Sequence, residues 1–298
     1  MEPSTQDGLG EEGFVVMTQI DTQSRRGFLK MASVASAAAV SFPALFGANK
    51  LYAATPAGGP IDTLDQIFTA ALVAEDLAVT FYYNVLVGSV ITNTSLAGPG
   101  GSATKFSSKG DPANVFYLRA ALAQEMDHAA LFRGLLGISD ASGDPYQTFY
   151  FDPTTFSDIG TFLTLLNALE EAFIGAYMCA IKEFGEFAVA GQNVTVNSTV
   201  YKPTDFALLA KIASTILGIE AEHRVLGRDI AGNENPTNNL NYEQGFGVYT
   251  VYNGPMSAVG KLTPFLSAGS GTQAYSLQTA LTNAPSVVLK TSGTYPRS

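Results

Sequence analysis

Apolar positions recur at helical spacing in four long stretches of the chain. The first covers about 63–90, through IFTAALVAEDLAVTFYYNVLVGSV, and the second about 113–136, through NVFYLRAALAQEMDHAALFRGLL. The third covers about 156–187, with FLTLLNALEEAFIGAYMCAIKEF, and the fourth about 204–230, with FALLAKIASTILGIEAEHRVLGRDI. Each is long for a globular helix and apolar around much of its circumference, which predicts an all-α four-helix bundle. The linkers TNTSLAGPGGSATKFSSKGDP, GISDASGDPYQTFYFDPTT and AGQNVTVNSTVYKP are rich in turn formers and longer than usual bundle connections. They are expected to pack over the ends of the bundle. Beyond 232 the periodicity fades: PTNNLNYEQGFGVYTVYNGP reads as loop with a short hairpin, and YSLQTALTN as one short helix. Residues 233–298 are therefore read as an irregular extension packed on the bundle, too poor in periodic apolar positions for a core of their own.

Ahead of the first stretch the pattern changes kind. SRRGFLK is followed by the uncharged, weakly apolar MASVASAAAVSFPALFGA and then by LYAATPAGG, the order of an export signal. The heptapeptide resembles the twin-arginine signal, with Arg25 and Arg26 as its pair. That resemblance implies export of an already folded protein to the periplasm or the outside, with no stable membrane anchor after cleavage between 51 and 55. The expected divisions are a signal over 1–54, a bundle over 55–232 and the extension. A formal charge of -10 argues against nucleic acids and anionic membrane surfaces as partners. The single cysteine, Cys179 in AYMCAI, leaves no intrachain disulfide and no thiolate cage, and is read as a buried small hydrophobe.

Chemistry is concentrated at the two histidines. His128 and His223 each follow a glutamate by three residues, Glu125 and Glu220, so each pair shares one helix face. With 13 glutamates in 298 residues, chance would place one before both histidines roughly 0.2% of the time, so a shared purpose outweighs coincidence. The two helices without histidine carry Glu75 in LVAEDLAV and Glu170 in NALEEAF. Glu170 lies on the stripe Leu163, Leu166, Phe173, Tyr177 and is expected to face the core, whereas Glu171 lies on a less apolar stripe. An internal register supports this choice. Shifting the first two helices by 95 positions superposes Glu75 on Glu170, Tyr82 on Tyr177, Glu125 on Glu220, His128 on His223 and Arg133 on Arg228.

Four carboxylates and two neutral imidazoles carry a formal charge of -4, which two divalent cations cancel. Oxygen donors with few imidazoles suit iron or manganese better than copper(I) or a structural zinc. The candidate metal ligands are thus Glu75, Glu125, His128, Glu170, Glu220 and His223. Asp127 and Glu222 point about 100° away and are read as a solvated face. Tyr82 and Tyr177 are read first as packed core aromatics, with a second role as donors or oxidisable groups beside the metals. Arg133 and Arg228 are given a shared structural role.

The order E, ExxH, E, ExxH is that of the ferritin-like domain, and the body from about 60 to 232 resembles it. FYFDPTTFSDIGTFLTLLNALEEAFIGAY with IEAEHRVLG resembles the branch that includes desiccation-related proteins. The resemblance implies two iron or manganese ions, O2 or peroxide as their partner, and oxidation of ferrous iron or peroxide dismutation; homo-oligomers fit as well. Its competing implication is a desiccation- or stress-associated protein whose metal ions mainly hold the bundle together.

Overall fold

The computed structural model describes residues 60–97, 113–232, 245–254 and 256–288. The export-signal reading of 1–54 lies outside the described residues, as do 98–112 and 233–244 of the linker and the extension. Helix α1, Leu64–Val87, starts at a capping box: Thr63 Oγ1 accepts from Gln66 N at 3.2 Å, and Gln66 Oε1 accepts from Thr63 N at 2.8 Å. It stops at Gly88, three residues short of the apolar pattern. A Cβ at Gly88 would lie 2.5 Å from the Phe156 carbonyl oxygen, so only glycine permits the turn there.

Helix α2 spans Ala113–Leu136, α3 Ile159–Ala190 and α4 Phe206–Ala231. Asp158 caps α3 by accepting from Thr161 N at 2.7 Å, which places the helix start three residues after the expected one. The four long helices pack in two pairs, α1 on α2 and α3 on α4, with further contacts between α1 and α3 and between α2 and α4. Gly227 lets α4 lie close on α3, since a Cβ there would come within 2.7 Å of Asn167 Oδ1 and 3.0 Å of Leu166 Cδ2.

Two apolar clusters fill the space between the helices. One holds the second half of α1 with the start of α2 and the first half of α3 (Leu77, Phe81, Leu118, Leu122, Leu166). The other joins the start of α1 to the second half of α3 and the first half of α4 (Ile67, Phe68, Phe184, Leu209, Ile216). The glutamates and histidines singled out above occupy the level where one cluster gives way to the other. By length and composition α1 and α3 could each cross a membrane, but in α1 most of the apolar stretch is spent inside the protein.

The rest of the chain closes this core. Strand β1, Thr148–Phe151, pairs antiparallel with β4, Gln273–Ser276, and a hairpin of β2, Val194–Val196, and β3, Thr199–Tyr201, turns at Asn197 with φ 52°. Helix α5 spans Ala258–Leu266 and α6 Leu277–Asn283. Leu277, Ala280, Ala284 and Val287 are buried in the same cluster as Phe81 and Phe151, and Arg119 Nε donates to Val287 O at 2.6 Å.

The strands differ from expectation. The third linker, read as loop, contains the β2–β3 hairpin. The hairpin expected within 236–255 does not form in its described part, where a single bridge joins Thr250 to Ser257. Its backbone donors are engaged elsewhere: Asp62 accepts from the amides of Val251, Tyr252 and Asn253 at 2.8–2.9 Å. Asp62 N in turn donates to Glu183 Oε2 at 2.9 Å. The short helix expected within YSLQTALTN is α6.

Candidate metal centre

All six sequence-predicted ligands meet between the four long helices. Glu75 comes from α1, Glu125 and His128 from α2, Glu170 from α3, and Glu220 and His223 from α4. They form two overlapping groups, Glu75, Glu125, His128 and Glu220 in one, Glu125, Glu170, Glu220 and His223 in the other. Within each group the donor atoms lie within 4.8 Å of one another, close enough to hold a metal ion. The cause is local: i, i+3 spacing stacks each Glu-His pair on the inward face, and the helix pairing brings the four faces together.

The members shared by the two groups are Glu125 and Glu220. Glu125 Oε1 lies 3.0 Å from His223 Nδ1 and its Oε2 lies 3.4 Å from His128 Nδ1. Glu220 divides its oxygens the opposite way, Oε1 at 3.5 Å from His128 Nδ1 and Oε2 at 3.5 Å from His223 Nδ1. Glu75 Oε2 is 3.2 Å from His128 Nδ1, and Glu170 Oε1 is 3.9 Å from His223 Nδ1. Two carboxylates thus span both positions, and one carboxylate and one imidazole belong to each.

Burial makes this arrangement costly without cations. Both oxygens of Glu125 and Glu220, Glu170 Oε2 and His223 Nδ1 are buried without a hydrogen-bond partner. Six such atoms turned towards one another are what a pair of divalent ions would satisfy, and the donor set fits iron or manganese. Burial alone would keep the imidazoles neutral. Glu75, with Glu125 and Glu220, nevertheless pushes His128 well above the ordinary histidine range, and Glu125, Glu220 and Glu170 do the same to His223. Glu170 is itself pushed well up, by burial first and then by the charge of Glu220.

The surrounding side chains hold the cluster from outside. Tyr82 of α1 donates to Glu170 Oε1 on α3 at 2.5 Å, and Tyr177 of α3 donates to Glu75 Oε1 on α1. Both tyrosines are also packed aromatics, but the donor role placed second in the sequence reading is the one that ties the helix pairs together. Burial, then the charges of Glu170 and Glu75 respectively, pushes both phenols well up, which keeps them protonated as donors. Gln124 Oε1 lies 2.9 Å from His223 Nε2, a contact absent from the sequence reading. Its only signal was a polar residue beside Glu125.

Arg133 donates to Asp76 Oδ1 at 2.5 Å and to Asp144 Oδ2 at 2.7 Å, so it serves the neighbour of a candidate ligand. One guanidinium faces two buried acids, and burial drives Asp76 up to about 9 despite Arg133, helped by Asp144. Glu171 turns outward and pairs with Arg224 at 3.1 Å, while Asp127 and Glu222 are exposed. Arg228 is buried near the end of α4. Cys179 is half-buried, its Sγ 3.5 Å from Val248 O, and burial pushes its thiol up to about 12.

An open cleft of about 880 Å³ runs between α2 and α4, lined by Phe116, Tyr117, Ala120, Ala221 and Val225, with Gln124 and His223 among its lining residues. Glu222 and Asp229 add acidic groups to it. Comparison of the chain with protein-family models, with curated proteins and with solved structures gave no match.

Proposed function

We propose that the chain is a ferritin-like four-helix protein that holds a dinuclear iron or manganese centre and uses it for redox chemistry with O2 or peroxide. The observation that carries this reading is the division of the Glu125 and Glu220 oxygens between the two histidines, the arrangement two adjacent cations require. Glu75 and His128 would complete one position, Glu170 and His223 the other. Bound there, the two ions supply adjacent redox partners able to oxidise ferrous iron or, as manganese, to dismute peroxide.

The protein's own part is placement. Glu125 and Glu220 would set the two positions side by side, Tyr82 and Tyr177 orient the carboxylates that end them, and apolar clusters pack the bundle on both sides of the site. With the SRRGFLK segment read as a twin-arginine signal, the bundle would fold and load its ions before export to the periplasm or beyond.

Closure of the site favours a second reading, since Glu125 and Glu220 are fully buried. In it the protein is stress-associated and the ions mainly brace the helices. The test is to strip the mature protein of metal, reload it anaerobically with Fe(II) or Mn(II), count the ions, and then follow O2 and peroxide consumption. Two ions per chain with consumption support the redox reading. Two ions without turnover transfer the support to the bracing reading, and no ions overturn both.

A further inference from the structure

The two halves of the centre share their ligands by symmetry, but their outer hydrogen bonds differ. Both imidazoles turn Nδ1 inward, towards the carboxylates. On the His223 side the outward Nε2 meets Gln124 Oε1 at 2.9 Å. The 95-residue register that superposes the halves places Ile219 where Gln124 stands, and an isoleucine side chain offers His128 no acceptor. Gln124 reaches across from α2 to α4, so it ties a residue beside one shared carboxylate to the histidine of the opposite helix pair.

An imidazole can serve a cation only through a nitrogen that carries a lone pair, and its other nitrogen then carries the proton. An amide oxygen accepting from Nε2 selects that tautomer. It also stops the ring from turning about its Cβ–Cγ bond, which Tyr82 restricts from another side with ring centroids 5.6 Å apart. Resting on the dinuclear reading above, we propose that Gln124 is a positioning residue that makes the two metal positions unequal. It presents the His223 Nδ1 lone pair to the position formed with Glu125, Glu170 and Glu220, which therefore binds its ion more tightly and fills first.

The test uses Co(II), whose visible absorption reports the ligands around each ion, titrated anaerobically into full-length mature protein. Wild type should bind two ions in two resolved steps. Gln124→Met keeps the side-chain length but removes the acceptor, and should weaken the first step by roughly 10- to 100-fold while leaving the second near its wild-type value. Gln124→Glu keeps an acceptor oxygen for Nε2–H and should restore the first step. Circular dichroism and thermal unfolding of the metal-free variants separate misfolding from altered binding. Independently of any variant, 15N spectra of histidine-labelled wild type loaded with Zn(II) should show the His223 proton on Nε2. A proton on Nδ1, equal steps in wild type, or a Gln124→Met titration that matches wild type or weakens both steps alike overturns the proposal. Failure of wild type to bind Co(II), Fe(II) or Mn(II) at all would instead overturn the dinuclear reading.

Discussion

On the dinuclear reading, exchanging Glu220 for glutamine should cost the protein both ions, whereas the same exchange at Glu75 should cost one. Each variant lowers the ligand charge from -4 to -3 while retaining size and a carbonyl acceptor, so the number of ions lost turns on whether the carboxylate spans both positions. Glu220 lies 3.5 Å from each histidine Nδ1, and Glu75 approaches His128 alone, at 3.2 Å. Leaving buried charge uncompensated costs about 3–5 kcal/mol, or roughly 10²- to 10⁴-fold in affinity. An ion supplied at 100 times its dissociation constant stabilises a native protein by about 2.7 kcal/mol. In a domain of this size that is roughly 5–11 °C in Tm per ion, so full loading should raise the wild-type Tm by roughly 10–20 °C. Glu75→Gln should keep about half of that rise and one ion per chain. Glu220→Gln should keep almost none at the same free metal, while its metal-free Tm stays at or above that of wild type because one repelling carboxylate has gone. Metal counts by plasma spectrometry and calorimetric Tm values with and without Mn(II) provide the check. Equal stoichiometry in the two variants would refute the bridging role of Glu220.

Other expectations concern the surroundings of the centre. Tyr82→Phe leaves Glu170 Oε1 without its donor and should lower metal-free stability by about 1–3 kcal/mol in denaturant unfolding. Arg133→Met strands Asp76 and Asp144 together and should cost about 3–5 kcal/mol at neutral pH, part of it restored by adding Asp76→Asn. Glu183 gives a signed pH effect. Burial lifts its carboxyl to about 7 from an ordinary 4.5, partly opposed by the hydrogen bond from Asp62 N. The folded state therefore holds the proton more tightly than the unfolded state, and stability falls as pH rises between these values. Glu183→Gln should match wild type near pH 4.5, gain on it up to pH 7, and hold a constant Tm advantage above that. A gain confined to acid pH would show the sign to be wrong.

Much of the centre was legible in the sequence because helical periodicity links spacing to facing. The i, i+3 placement of Glu125 with His128 and of Glu220 with His223 fixes which atoms share a face. The stripe through Leu163, Leu166 and Tyr177 separates Glu170, which joins the cluster, from Glu171, which pairs with Arg224. The contacts that cross between helices were not legible. Tyr82 reaching Glu170, Gln124 reaching His223 and Arg133 reaching Asp76 depend on how the helices are rotated and set against one another, which no single helix records. The β2–β3 hairpin had a local signal in VTVNSTVY, alternating residues around an asparagine able to take positive φ, and the length of the linker obscured it. Asp62 shows the opposite limit. Its carboxylate takes the backbone amides of a segment nearly two hundred positions away, so the hairpin expected there yielded to a partner that local pattern cannot reveal.

The late part of the chain has a consequence for when this protein can fold. Leu277, Ala280, Ala284 and Val287 wall the same apolar cluster as Phe81 near the chain's beginning, and β4 supplies the only ladder partner of β1 among the described residues. Contacts of such sequence separation carry a large closure entropy and form slowly. A ribosome that has released the four long helices has therefore not yet released the material that seals them. The nascent chain must keep Phe81 and Phe151 covered by other means until residues 277–287 emerge, so this core closes well after its four long helices have been made.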